Sequence, residues 1–185
     1  MSDAQGDDLV SAVPAVPVGG PVAPDPPILV SACLAGLATT HTGVAKPSGA
    51  VMDLVRQGRA ILVCPEQLGG LPTPRRPAEI VPGPSGASGA SGADVLAGEG
   101  RVVDTDGVDV TAAYVRGARE ALKLARLAGS KVAILKSRSP SCGKDRIHDG
   151  TFSGVLRDGT GVTASLLAAE GLEVLSEEDL EGRHP

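Results

Sequence analysis

Four short apolar runs, separated by longer amphipathic stretches, constrain this chain more than any other feature. They are ILVSA from Ile28, AILVC from Ala60, VAILK from Val132 and LEVL from Leu172. Runs of Ile, Leu and Val without polar alternation suit strands covered on both faces, the condition of a parallel sheet. Between them the apolar residues recur with a helical period. SGAVMDLVRQG places Val51, Leu54 and Val55 on one face. DVTAAYVRGAREALKLARLAG does the same with Val115, Ala118, Leu122 and Ala125, with Asp109 or Thr111 as its cap and Gly129 as its stop. GVTASLLAAEG predicts a third helix ending on Gly171. Strands alternating with helices predict an α/β fold: a doubly wound, mostly parallel sheet with right-handed crossovers, in a single domain.

That domain is expected over residues 28–181. Residues 1–27, rich in Pro and Ala with no sustained period, read as a disordered tail. A flexible Gly/Ser insertion is expected around 83–98, on the repeat GPSGASGASGA that starts at Gly83, because such residues have little surface to bury. The chain of 185 residues suits one sizeable core, but with aromatics at 1% that core must be aliphatic, and Tyr114 and Phe152 are the only Tyr and Phe. So few rings argue against a stacking platform for single-stranded nucleic acid. A net charge of −5 argues against a broad phosphate-binding surface, leaving at most a local basic rim from Arg75, Arg76, Lys136, Arg138, Lys144 and Arg146. A small-molecule partner fits better. No window approaches the ~20 apolar residues of a membrane span, and the chain opens without a signal-peptide pattern, so a cytoplasmic setting with reduced thiols is expected.

Sheets of this kind bind ligands beyond the carboxyl ends of their strands. Cys33 follows the first apolar run, Cys64 closes the second, and Cys142 lies in the polar loop LKSRSPSCGKDRIHDGTFSG that leaves the third. All three cysteines therefore fall on the same edge. Three thiolates there can hold a zinc ion, with His41 or His148 completing the shell, or an iron–sulfur cluster with one iron lacking a protein thiolate. The absence of any CxxC pair favours the larger object, and it also counts against dithiol exchange. An open iron is a Lewis acid for which a substrate sulfur is the natural donor.

These segments also carry a family likeness. ILVSACLAG at Ile28, VCPEQLGGLPTPRRPAEI at Val63, VVDTDGVDVT at Val102, LKSRSPSCG at Leu135, HDGTFSGVL at His148 and GVTASLL at Gly161 resemble, in order, the signature segments of the thiouracil desulfurase family. The resemblance runs from Ile28 to Leu180. It implies a Rossmann-like domain in which Cys33, Cys64 and Cys142 hold a [4Fe–4S] cluster, and a hydrolytic, redox-neutral conversion of a thiolated pyrimidine to its oxo form with release of sulfide. Relatives with an extra domain act on thiouridines.

Within that frame Glu66, two residues after Cys64, is the carboxylate placed to activate water, and Ser139, three residues before Cys142, is placed to position water or protonate the leaving group. Arg75 in PTPRR is expected to hold a pyrimidine carbonyl or a cluster sulfide. Asp149, followed by Gly150, is expected either to bind a substrate N–H or to close an Asx turn. Lys136 and Arg138 are expected to balance the cluster's charge. The chain departs from the family where a segment resembling RYDG is usual. It reads LATTHTG from Leu37, with Thr40, His41 and Thr42 in place of Arg, Tyr and Asp, and His148 stands where tyrosine is common.

Overall fold

The computed structural model describes residues 25–83 and 89–181. The tail expected over residues 1–27 lies almost wholly outside the described residues, as do 84–88 of the Gly/Ser repeat. Each apolar run forms a strand: β1 (Ile28–Ser31), β2 (Ala60–Val63), β5 (Val132–Leu135) and β8 (Glu173–Ser176). They pair in parallel in the order β2-β1-β5-β8. Adjacent residues of one strand serve opposite faces. Leu29 and Ala133 pack with Ala121, Leu122, Ala125 and Leu167 of α4 (Thr111–Ala128) and α5 (Val162–Ala169). Val30 and Ile134 pack on the other face with Val51 of α1 (Gly49–Arg56) and with Leu34. Both faces are covered, which is why the runs are continuously apolar.

The predicted helices agree with the structure to within about a residue or two at their ends. At the start of α4 Val110 holds the capping position, and Asp109 Oδ1 accepts the Thr111 N–H at 2.9 Å, while the Thr111 hydroxyl accepts the Val102 N–H at 2.9 Å. The helix stops at Gly129, whose φ of 70° is left-handed as the stop requires.

Two antiparallel pairs had no counterpart among the predicted runs. β3 (Ala78–Pro82) pairs with β4 (Gly100–Asp104), and β6 (Arg146–His148) with β7 (Leu156–Asp158). They and Tyr114 of α4 share a third core built on Ile80, Val102, Ile147 and Val162.

The expected flexible insertion around 83–98 needs correction. Residues 92–97 form a helix, α3 (Gly92–Ala97), after α2 (Pro65–Leu68) in chain order, and Val95 is buried in the third core. Its start is held by the Asp94 carboxylate, whose Oδ2 accepts the Ser91 N–H at 2.6 Å and the Ser91 O–H at 2.8 Å. The small residues that suggested a linker allow close packing instead: a β-carbon on Gly92 would overlap the backbone of Gly161.

Candidate functional site

Chain connection reverses direction between β1 and β5, since β1 crosses over to β2 on one side while β5 lies on the other. A crevice opens beyond the strand ends at such a point. Here a cavity of about 430 Å³ lies at that edge, lined among others by Cys33, Cys64, Glu66, Arg75, Ser139 and Cys142. All three cysteines are free thiols.

Each thiol is delivered by a different local device. Cys33 sits in a 3-10 turn (Ala32–Ala35) that stops at Gly36, and its carbonyl accepts the Lys46 N–H at 2.9 Å. Cys64 caps α2, where Pro65 occupies the first helical position that can lack an N–H, and its Sγ donates to the Thr39 carbonyl at 3.6 Å. Cys142 ends a tight loop in which Ser139 Oγ accepts the N–H groups of Ser141 and Cys142, both at 3.1 Å. That loop is pinned to α5, because Val162 and Thr163 donate to the carbonyls of Pro140 and Ser141.

Burial pushes the Cys33 thiol up to about 11, and the neighbouring Cys64 adds to the effect while Lys136 opposes it. Burial also pushes Cys142 up, to about 12, against the Ser31 hydroxyl that donates to its Sγ at 3.6 Å. The wall offers these thiols little positive charge of its own. Lys136 is paired with Glu177, and Ser137 donates to the same carboxylate through its N–H and its hydroxyl, both at 2.8 Å. Thiols of this kind become thiolates when a metal centre supplies the charge, releasing their protons.

Among the described residues no three His, Cys, Asp or Glu side chains converge as a single ion requires, so the mononuclear zinc reading, with His41 or His148 in the shell, is not supported. In an iron–sulfur cluster each thiolate reaches a different iron, and separated thiols on one cavity suit that object.

Glu66 lies in the same wall and is held firmly. Its Oε2 accepts the Arg75 Nε–H at 2.5 Å and the Tyr114 hydroxyl at 3.1 Å. Among the described residues no side chain or backbone group donates to Oε1. Arg75 was expected to meet the substrate, and most of its donors are engaged within the protein: besides Glu66, the guanidinium donates to the carbonyls of Thr39 and Pro72 and to Thr73 Oγ1. Burial works against the Arg75 charge, yet the Glu66 carboxylate outweighs it and raises its pKa. Arg75 thus ties Glu66 to the Thr39 carbonyl.

Ser139 lines the cavity, and its oxygen closes the Cys142 loop by accepting two N–H groups. Asp149 does not line the cavity; its Oδ1 accepts the N–H and hydroxyl of Thr151, closing an Asx turn, so the substrate role is corrected to the turn role. Thr151 also lowers its carboxyl pKa. Lys136 and Arg138, expected to balance a cluster, line the cavity and are paired with Glu177 and Glu178. Of the rest of the expected basic rim, Arg76 is paired with Asp106 and Lys144 with Asp179, while Arg146 donates to the Leu156 carbonyl.

Tyr114 and Glu79 were missed. Tyr114 lies inside a helical pattern, where nothing but the chain's scarcity of rings marks it, although a buried phenol needs a partner for its O–H. Burial and the Glu66 charge raise its pKa well above the ordinary value. Glu79 is 6% exposed in a strand of otherwise apolar pattern, and lines the cavity.

A single Rossmann-like domain with three free thiols and a clamped carboxylate in the switch-point cavity defines a sulfur- or metal-handling α/β protein. Comparison with known proteins gives the family. The 2-thiouracil desulfurase family model matches residues 28–179, and the chain belongs to that family. It is 44% identical over 153 residues to the uncharacterized protein YbbK of Bacillus subtilis (strain 168), covering 83% of this chain and 97% of that protein. It is similar in structure to the [4Fe-4S]-dependent thiouracil desulfidase TudS, with a TM-score of 0.72 and 41% identity over 85% of this chain and 95% of that one.

Proposed function

We propose that this chain removes sulfur from a thiolated pyrimidine of the 2-thiouracil type, giving the oxo base and sulfide, with a [4Fe–4S] cluster held by Cys33, Cys64 and Cys142. The observation that carries this reading is the convergence of all three thiols and Glu66 on one cavity, in a chain of the desulfurase family. When bound, the cluster supplies an iron without a protein thiolate, a Lewis acid for the thiocarbonyl sulfur.

The chain's own residues supply the proton handling. Glu66, with Oε2 fixed by Arg75 and Tyr114, accepts a proton at Oε1 from the attacking water. Ser139 donates its O–H to orient that water or the departing sulfur. Water oxygen bonds to the thiocarbonyl carbon, the C–S bond breaks, and both water protons leave with the sulfur. No electron is gained or lost. Among the described residues no helix is long and apolar enough to cross a membrane, and three unpaired thiols support a reducing, cytoplasmic setting.

The test is anaerobic reconstitution with iron and sulfide, then incubation with 2-thiouracil while uracil and released sulfide are measured. Both products in equal amounts, only from loaded protein, are expected. Loaded protein that releases neither overturns the proposal.

A further inference from the structure

The loop from Asp149 to Gly154 brings a ring to the cavity at some conformational cost. Phe152 has a φ of 59°, a left-handed conformation that bulky side chains rarely adopt. Phe152 is 38% exposed and lines the same cavity as the thiols. A buried carboxylate holds it there. Glu79 Oε2 accepts the Gly150 N–H at 2.8 Å and the Phe152 N–H at 3.0 Å, two donors of one loop on one oxygen.

The surrounding polar atoms point to a ligand as well. His148 Nδ1 is buried without a hydrogen-bond partner among the described residues, and lies 4.0 Å from Glu79 Oε1, too far to bond. Thr39, 9% exposed and also lining the cavity, has a hydroxyl that is equally unpartnered among the described residues. Buried polar groups normally find partners, and these two unpartnered atoms belong to residues that both line the cavity. The other phenyl-type ring in the wall, Tyr114, is engaged with Glu66. Among the described residues Phe152 is the one phenyl ring lining the cavity.

We infer that Phe152 stacks on the face of a planar, nitrogen-containing heterocycle, with His148 and Thr39 hydrogen-bonding its edge and Glu79 acting as the positioning residue for the loop. The inference rests on the proposed desulfuration for the kind of ring bound. It assigns recognition of the base to this loop, separately from the thiols and Glu66.

The test uses the full chain loaded with its cluster under anaerobic conditions. KM and kcat are measured for 2-thiouracil, and binding of uracil, which does not react, is measured by calorimetry. Phe152→Leu should weaken uracil binding and raise KM by about tenfold, as expected for removing one ring from a base stack, with a much smaller change in kcat. Phe152→Tyr should restore both, and iron content and cluster absorption should match the parent in each. Unchanged KM and uracil affinity in Phe152→Leu, with the parent turning over, overturn the inference and leave the desulfuration standing. Phe152-dependent binding of uracil by a loaded parent that releases no sulfide supports the inference and overturns the reaction. A loaded parent that neither binds uracil nor turns over overturns both. Should Phe152→Leu fail to fold, Glu79→Ala and Glu79→Gln decide: Ala removes the acceptor and should raise KM, Gln keeps it and should not, and equal KM values in the two overturn the inference.

Discussion

The inner wall of the cavity and its rim are made in different ways. The inner wall hangs on the ends of β1, β2 and β5, and its helices are locked by glycines with no room for a side chain. A β-carbon on Gly117 of α4 would overlap the Pro65 carbonyl, and one on Gly69 would overlap the carbonyl of Ala113. The rim consists of the Thr39–Thr42 and Asp149–Gly154 loops, held by single carboxylates and carbonyls such as Glu79 and the Thr39 carbonyl. Rigid close packing suits the part that must hold cofactor ligands and the base in fixed relation. Loops tied at a few points can change residue without moving that frame, and the unusual TTHTG segment lies in such a loop.

Removing an inner-wall ligand should have the largest effect. Cys142→Ala, in the loop pinned to α5, is expected to abolish cluster retention and turnover while leaving the fold intact. Iron per chain after anaerobic reconstitution, with circular dichroism as the control, checks this. Full iron content in Cys142→Ala would remove that cysteine from the ligand set and break the proposed contrast between wall and rim.

Next in size comes the clamped carboxylate. Glu66→Gln should lower kcat by roughly 10² to 10⁴ with the cluster retained, the range for loss of a general base. Tyr114→Phe removes only one of the two donors on Oε2 and should lower kcat by about tenfold, as a charge-assisted hydrogen bond is worth little more than that. Single-turnover sulfide release measures both. If Tyr114→Phe proves as severe as Glu66→Gln, the phenol touches the reacting atoms and is more than a support.

The same contrast explains what could be read from the amino-acid order. β1, β2, β5 and β8 were legible because burial on both faces leaves unbroken apolar runs, and the cysteines at their ends followed from the general location of ligand sites in such sheets. β3 and β4 were not legible as strands. Glu79 interrupts the apolar pattern of β3 for the sake of a loop about 70 residues later, a long-range reason that no local period records. Arg75 was legible as a site residue, but its contacts to Glu66 and the Thr39 carbonyl were not. The glycines of 83–98 misled because a lack of side chains suggests flexibility, yet Gly92 serves the opposite end by letting α3 approach Gly161.

Glycine substitutions sharpen the comparison at smaller cost. Gly117→Ala lies inside a helix, where alanine is intrinsically favoured by about 1 kcal/mol. The overlap with Pro65 should reverse that sign and destabilise the protein by about 2 kcal/mol, while displacing α2 and so loosening Cys64 and Glu66. Gly49→Ala, at the start of α1 with nothing within 4 Å of its β-carbon, should be neutral or slightly stabilising. Urea unfolding of the two variants separates close packing from helix propensity.

The smallest effect tests whether α3 belongs to the frame that supports the inner wall. The Asp94 carboxyl is held below its usual range chiefly by the Ser91 N–H and also by the Ser91 hydroxyl. A carboxyl with a depressed folded value adds stability that is fully present above its unfolded value, near 4, and is lost as pH falls through the lower folded value. Asp94→Ala should therefore cost about 1 kcal/mol at pH 7, the size of a helix-start interaction, and the gap between parent and variant should close as the pH falls through that window. Because α3 meets α5 at Gly92 and Gly161, and α5 pins the Cys142 loop, iron retention in Asp94→Ala should fall slightly at pH 7 as well. A pH-independent gap would show that the loss does not come from the ionised carboxylate, and unchanged stability at every pH would make α3 an ornament of the third core with no hold on the thiol wall.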